Sequence, residues 1–285
     1  IMSMAAMSMS TATQALSSYS KHVLVTGANK GIGKAICKKL LTDHSDVYVY
    51  LGSRDKGRGA AAVIDLTSEC PGCDDRITAL ELDVTSDDSV SAAAATVSAS
   101  GVPLYGLINN AGIGFGRTID ETLATNAYGT KRVSDAFIPL IDKDIGRLVN
   151  IASASGPMFV ASCPSSHQSL FARQPDDCIT WEELEEIMNN NYKGQADYDG
   201  IAYGLSKAFV NVLTQQQAKA HPNLKINAVT PGYIATDLTA GMGATNPPEK
   251  GTTAPLACLF GDMEGNGRYY GSDAVRSPLD RYRGP

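Results

Sequence analysis

From Lys21 onward, short apolar runs alternate with segments whose apolar residues recur at helical spacing, and this alternation limits the fold more than any other feature. HVLVTG (22–27), VYVYLG (47–52), ITALELDV (77–84), YGLINNAG (105–112), RLVNIAS (147–153), KINAVTPG (225–232) and RYYG (268–271) read as seven strands. KGIGKAICKKLLTDH (30–44), GAAAVIDLTSE (59–69) and SVSAAAATVSA (89–99) carry helical patterns between them. Strands that are apolar on both faces and separated by helices need a parallel sheet covered on both sides, joined by right-handed crossovers. The chain therefore predicts an α/β, doubly wound domain of the Rossmann type over residues 21–285. Residues 157–199 break the rhythm: no strand pattern occurs, and Thr180-Trp-Glu-Glu183 is a capping-box start for a helix through Met188. They predict a mostly helical insertion, not a second domain.

Composition agrees with one large domain, at 285 residues with 43% apolar and 19% charged. The net charge of −6 argues against a nucleic-acid partner, which would need basic surface. No apolar run approaches the roughly 18 residues of a membrane span, so no membrane partner is expected. Cys37, Cys70, Cys73, Cys163, Cys178 and Cys258 are scattered, which predicts reduced thiols in an intracellular, cytoplasmic protein. Cys70-Pro-Gly-Cys73 has redox-motif spacing but falls in a turn between a helix and a strand, and reads as two incidental thiols. His22, His44, His167 and His221 lie far apart, so no metal site is expected. The first twenty residues carry no charge, match neither a secretory nor a mitochondrial leader, and read as a frayed or processed tail.

Between the first strand and the first helix stands Thr26-Gly27-Ala28-Asn29-Lys30-Gly31-Ile32-Gly33. Gly27 can make the tight turn, Gly31 lets backbone approach a pyrophosphate, and Gly33 lets helix and strand pack closely. The helix start then offers free N–H groups and a positive dipole end to the anion. At the end of the second strand, where NAD sites place an acid for the ribose hydroxyls, this chain has Ser53 followed by Arg54. Arg54 can pair with a 2′-phosphate through its guanidinium fork, with Arg58 and Lys30 as further cations and Asp55 as a countervailing charge. The pattern predicts NADPH.

Tyr203-Gly-Leu-Ser-Lys207 opens a long helical pattern, and its i, i+4 spacing puts phenol and ammonium on one face. A phenol with an ordinary pKa near 10 exchanges protons poorly at neutral pH, and a nearby cation would bring it toward the working range. Ser153, at the C-terminal end of the fifth strand, can bind a carbonyl oxygen as charge develops there. Ser155 and Ser206 are close in sequence, and this reasoning does not choose among the three.

Taken in order, Thr26 to Gly33, Asn109-Asn-Ala-Gly112, Ser153, Tyr203-x-x-x-Lys207 and Pro231-Gly232 resemble the short-chain dehydrogenase/reductase family over residues 21 to 275. The resemblance implies Tyr203 as general acid, Lys207 as the group that holds the nicotinamide ribose and lowers the Tyr203 pKa, and Ser153, in Asn150-Ile-Ala-Ser, as the orienting serine. It implies Asn126, in Thr125-Asn-Ala-Tyr-Gly129, as the anchor of a proton-relay water. For the cofactor it implies Gly27, Asn29, Lys30, Gly31, Ile32 and Gly33 at the phosphates, and Ser53, Arg54 and Arg58 at the ribose. Asp83 and Val84 would lie at the adenine, Asn110, Ala111 and Gly112 along the cleft, and Ile151, Pro231, Gly232, Ile234 and Thr236 beside the nicotinamide. Fifty residues separate Ser153 from Tyr203, and that long link resembles the monomeric, NADPH-using carbonyl reductases of the family, whose extra helices cover a tetramer surface. The short stretch from Gly112 to Asn126, and Tyr233 where those enzymes carry tryptophan, depart from the subgroup at the substrate pocket.

The sequence thus predicts an NADPH-dependent, monomeric reductase of ketone, aldehyde or quinone carbonyls acting on a small molecule. An NAD-linked secondary-alcohol or steroid dehydrogenase and a non-catalytic NADP sensor are the alternatives. An acid at position 53 would have favoured the first, and loss of the tyrosine or lysine the second.

Overall fold

The computed structural model describes residues 19–192 and 200–284. Seven parallel strands form one sheet in the order β3-β2-β1-β4-β5-β6-β7. They are β1 (Lys21–Val25), β2 (Val47–Ser53), β3 (Ile77–Glu81), β4 (Leu104–Asn109), β5 (Arg147–Ile151), β6 (Lys225–Val229) and β7 (Tyr269–Tyr270). Side chains alternate between faces as the pleat requires. Val23, Val25, Val47, Val49 and Leu51 pack with α1 (Gly31–Asp43), α2 (Lys56–Glu69) and α10 (Thr253–Phe260) on one face. Leu24, Tyr48, Tyr50, Leu107 and Leu148 pack on the other, against α3 (Asp87–Ser98) and, beyond the short α4 (Ile119–Leu123), α5 (Gly129–Phe137). Strand order reverses between β1 and β4, and a doubly wound sheet opens its ligand crevice at the C-terminal ends there.

All seven predicted strands occur, but several stop short of their apolar runs. β1 ends at Val25, β3 at Glu81 and β4 at Asn109, although the N–H groups of Thr26 and Leu82 still donate to Ile108 O and Ser53 O of the neighbouring strands. Helices α2 and α3 begin three and two residues earlier than the apolar pattern indicates, since Asp55 and Ser86 cap them by accepting from the N–H groups of Arg58 and Ser89. A buried amide chain ties the sheet to α9 (Ile201–Ala220). Asn109 Nδ2 donates to Asn150 Oδ1 at 2.8 Å, and Asn150 Nδ2 donates to Thr214 Oγ1 and Gln217 Oε1 at 2.9 Å each. This fixes the height of α9 against β5.

The predicted insertion is helical where it is described: α6 (Ser155–Ser162), α7 (Ser165–Phe171), a 3₁₀ turn (Pro175–Asp177) and α8 (Trp181–Asn191). The Thr180–Glu183 capping box is present in both directions. Phe159, Phe171, Leu184 and Met188 form a third core with Leu205, Phe209 and Val212 on the outer side of α9. Residues 193–199 lie outside the described residues, as do 1–18 of the predicted tail. One thiol expectation is corrected: Cys70 and Cys73 are joined in a disulfide, because the Pro71-Gly72 turn brings their Cα atoms to 5.8 Å, within bonding reach. Cys37, Cys163, Cys178 and Cys258 are free. Among the described residues no helix is long and apolar enough to cross a membrane, and no cluster of three metal-ligating side chains occurs.

Candidate active site

The β1–α1 turn has the backbone the glycine pattern predicts. Gly27 and Gly31 sit at φ +61° and +56°, in the left-handed region that costs glycine least. A Cβ on Gly33 would lie 2.5 Å from Asn110 Nδ2 and 2.8 Å from Ala28 Cα, so only a hydrogen fits where α1 meets the turn. Thr26 Oγ1 accepts from the N–H groups of Asn110 and Ala111, and Asn110 Nδ2 donates to the carbonyls of Thr26 and Gly27. The β1 and β4 loops are thereby locked together at the switch point. Lys30 provides no side-chain cap for α1, and no acid stands in its first turn. Uncapped N–H groups on a glycine-lined start are what a pyrophosphate requires, so the residues present fit a dinucleotide. Gly33→Ala is expected to lower folded stability by about 2 kcal/mol through overpacking, and to weaken dinucleotide binding. Thermal denaturation and cofactor titration check both; unchanged values would contradict the packing read here.

At the end of β2 the three predicted cations separate. Arg58 pairs with Asp55 at 3.5 Å, and Lys30 pairs across the cleft with Asp237. Arg54 is exposed and has no carboxylate within ion-pair distance among the described residues. Ser53 is buried, its hydroxyl donating to Asp55 O at 2.9 Å, so it shapes the turn that presents Arg54. Burial alone would raise the Asp83 carboxyl, but hydrogen bonds from Thr85 and the charges of Arg54 and Arg132 hold it below its ordinary value. Val84 is buried beside it and packs against Gly129.

Tyr203 and Lys207 share the inner face of α9, and both are buried. Lys207 Nζ stands 5.6 Å from the centre of the Tyr203 ring and donates to Ile151 O at 2.8 Å. The Tyr203 hydroxyl lies close enough to Ser153 for that serine to oppose the effect of burial on its pKa. Ser155 is the neighbour of that serine: its N–H donates to Ser153 Oγ at 3.2 Å. Ser206 faces the other way, donating to Tyr203 O and accepting from Asn126 Nδ2 at 3.0 Å. Of the three serines, Ser153 is the one on the phenol.

Asn126 lies on a π-helical turn (Ala124–Tyr128), a local widening that recurs at functional sites. It is buried, takes the Ile113 N–H on Oδ1 at 2.8 Å and donates from Nδ2 to Ile113 O at 2.9 Å. A Cβ on Gly112 would lie 3.2 Å from Asn126 Oδ1 and 3.7 Å from Lys207 Nζ, so the amide and the ammonium close on the same glycine. Across the cleft, Gly232 turns at φ +91° after Pro231, and Ile234 is buried. A Cβ on Gly31 would touch Thr236 Cγ2 at 3.4 Å, which brings the β1 and β6 loops face to face.

One electrostatic expectation is corrected. Burial pushes the Tyr203 phenol up to about 12, opposed only by Ser153. Lys207 does not make the phenol acidic, because burial brings its own ammonium down to about 8 and its nearest bond is to a backbone carbonyl. Desolvation of both groups outweighs their mutual attraction.

Residues 21–165 match the family model described as short chain dehydrogenase. The chain belongs to the short-chain dehydrogenase family. It is 31% identical over 274 residues to (+)-neomenthol dehydrogenase of Arabidopsis thaliana, covering 83% of this chain and 90% of that one. It is 36% identical over 266 residues to carbonyl reductase [NADPH] 1 of Homo sapiens, covering 85% and 92%. Among solved structures, menthone neomenthol reductase from Mentha piperita superposes with a TM-score of 0.73 at 27% identity, over 89% of this chain and 99% of that one.

In this short-chain dehydrogenase the predicted residues from the cradle, the β4 and β5 ends and α9 converge on one cleft. Sequence reasoning missed Phe115. Its ring centre lies 4.9 Å from that of Tyr203, and 41% of the residue is exposed. It sits between glycines on the loop after Gly112, and an aromatic there was the available signal. Also missed were Ile113, whose backbone clamps Asn126, and the Lys207–Ile151 bond, neither of which leaves a side-chain signature.

Proposed function

We propose that this oxidoreductase is an NADPH-dependent carbonyl reductase that converts ketones, aldehydes or quinones to alcohols. The observation that carries the reading is the geometry of the cleft: Tyr203 and Lys207 are buried on the inner face of α9, with Lys207 Nζ 5.6 Å from the centre of the Tyr203 ring and Ser153 beside the phenol. A phenol in that position can hand a proton to a carbonyl oxygen as hydride reaches the carbon. Two of its relatives are named as reductases, a carbonyl reductase [NADPH] and a menthone neomenthol reductase, which supports carbonyl reduction, while (+)-neomenthol dehydrogenase is named for the reverse reaction of such a couple.

The α1 start would hold the pyrophosphate, Arg54 the 2′-phosphate, Asp83 and Val84 the adenine side, and Lys207 the nicotinamide ribose. NADPH, when bound, supplies the hydride that goes to the carbonyl carbon. Ser153 and Tyr203 donate to the carbonyl oxygen and stabilise the negative charge that grows there. Tyr203 Oη then gives up its proton, completing the alcohol. Lys207 and Asn126, closing on Gly112, return a proton to the phenolate from solvent. Phe115 forms an aromatic wall over the ring and favours apolar substrates. NADPH consumption against a panel of ketones, aldehydes and quinones, with the alcohols identified, tests the reading; consumption of none of them would overturn it.

The Lys207 ammonium predicts a pH dependence with opposite signs for activity and stability. Its folded pKa of about 8 lies below the ordinary 10.5, so the charged form is disfavoured by folding. Between these values the unfolded chain binds the extra proton, and stability rises with pH. Activity that needs the ammonium falls over the same range, being full below about 8. Rate and melting profiles from pH 6 to 10 check this pair of slopes. Parallel slopes would contradict the assignment.

The proposal includes a monomer. Sixteen of the twenty residues of α9 are buried, with α6, α7 and α8 packed over its outer side, which leaves little of that helix for a partner. Sedimentation at 30.0 kDa is expected, and a stable dimer or tetramer would contradict it.

A further inference from the structure

We propose a second ligand site, for a small oxyanion bearing a carboxylate or phosphate, in a cavity of about 430 Å³ between β7, α9 and the C-terminal segment. Its walls include Gln174, Gln215, Arg268, Arg276 and Leu279, and none of its lining residues belongs to the cleft described above.

The cavity carries more positive charge and more donors than its own residues satisfy. Arg268 Nη1 and Arg276 Nη2 both donate to one neutral acceptor, Gln174 Oε1, the second at 3.3 Å. Two guanidinium groups repel each other, and an amide oxygen does not neutralise them. Among the described residues neither arginine has an ion pair to a carboxylate. Asp280, the acid on the wall, pairs instead with Arg281 at 3.7 Å. Arg268 Nε is buried and has no hydrogen-bond partner among the described residues, so the charge of this arginine is poorly satisfied by the protein itself.

An oxyanion would neutralise the two guanidinium groups that Gln174 leaves charged. Two oxygens in a plane match the guanidinium fork, and a guanidinium has five donors to share, so Gln174 need not be displaced. Ala172, Pro278 and Leu279 give the cavity an apolar side, which suits an organic anion with a small hydrocarbon body. Tyr269 also lines the cavity.

Calorimetric titration of the full chain with inorganic phosphate and with benzoate, in chloride buffer of low ionic strength, tests the site. Saturable one-to-one binding of at least one probe is expected, weakened at least about tenfold in Arg276→Gln and retained in Arg54→Gln. Arg276 is exposed, so its replacement leaves the fold intact; Arg268→Gln provides a second variant with the same expected loss. Equal affinity in both cavity variants would overturn the proposal, as would loss in Arg54→Gln alone, which places the anion in the dinucleotide cleft. Absence of saturation with either probe would overturn it too.

Discussion

Tyr203→Phe loses carbonyl reduction by about 10³-fold or more while dinucleotide affinity stays within a few-fold of the parent. The substitution removes one oxygen. The ring keeps its place 4.9 Å from Phe115 and under Lys207, so the cleft keeps its shape. Two contributions disappear together: the proton donor, worth about 10²–10⁴ as general acid catalysis, and one of two hydrogen bonds to the developing alkoxide. Ser153 remains as a single donor. The cost in stability is small, about 1 kcal/mol for one buried hydroxyl pair. Steady-state rates with fluorescence titration of the cofactor separate the two effects. Near-parental turnover in the variant would remove Tyr203 from the chemistry.

Arg54→Asp lowers the NADPH-to-NADH ratio of kcat/KM by about 100-fold or more. The reason lies in how the three candidate cations are occupied. Lys30 is held by Asp237 and Arg58 by Asp55, which leaves Arg54 as the cation whose fork is uncommitted. The substituted carboxylate would stand near Asp55 and Asp83, concentrating negative charge where a 2′-phosphate must sit. A carboxylate can also accept from the ribose hydroxyls of NADH, so the change acts on both sides of the ratio. Lys30→Gln and Arg58→Gln are expected to change it much less, and an unchanged ratio in Arg54→Asp would refute the assignment.

The β framework was readable because each strand is apolar on both faces, a pattern that only a sheet covered on two sides explains. Tyr203 and Lys207 were placed on a common face by spacing alone. What their burial does to them was not readable, since it depends on Ile151, Ser153 and the packing of α9 against α6. Spacing indicates that two groups are neighbours, whereas their protonation depends on how much water remains around them. That is why the phenol expected to be acidic is shifted upward by burial instead. Phe115 and the π turn at Asn126 escaped for a related reason: loop course and helix widening arise from tertiary contacts, with no periodic signature. The Cys70–Cys73 pair reads from sequence as two incidental thiols because it falls in a turn between a helix and a strand, yet that same Pro-Gly turn brings the two Cα atoms close enough to bond.

The most direct test follows the two hydrogens of the reaction separately. NADPH carrying deuterium at the transferring C4 position, mixed with enzyme and a ketone substrate in ordinary water, should yield an alcohol with one deuterium on carbon and ordinary hydrogen on oxygen. In deuterated solvent a kinetic isotope effect should be present in the parent and reduced or absent in Tyr203→Phe. Cofactor oxidation without deuterium in the product alcohol would contradict hydride transfer to a carbonyl. A solvent isotope effect identical in the two proteins would contradict Tyr203 as the donor.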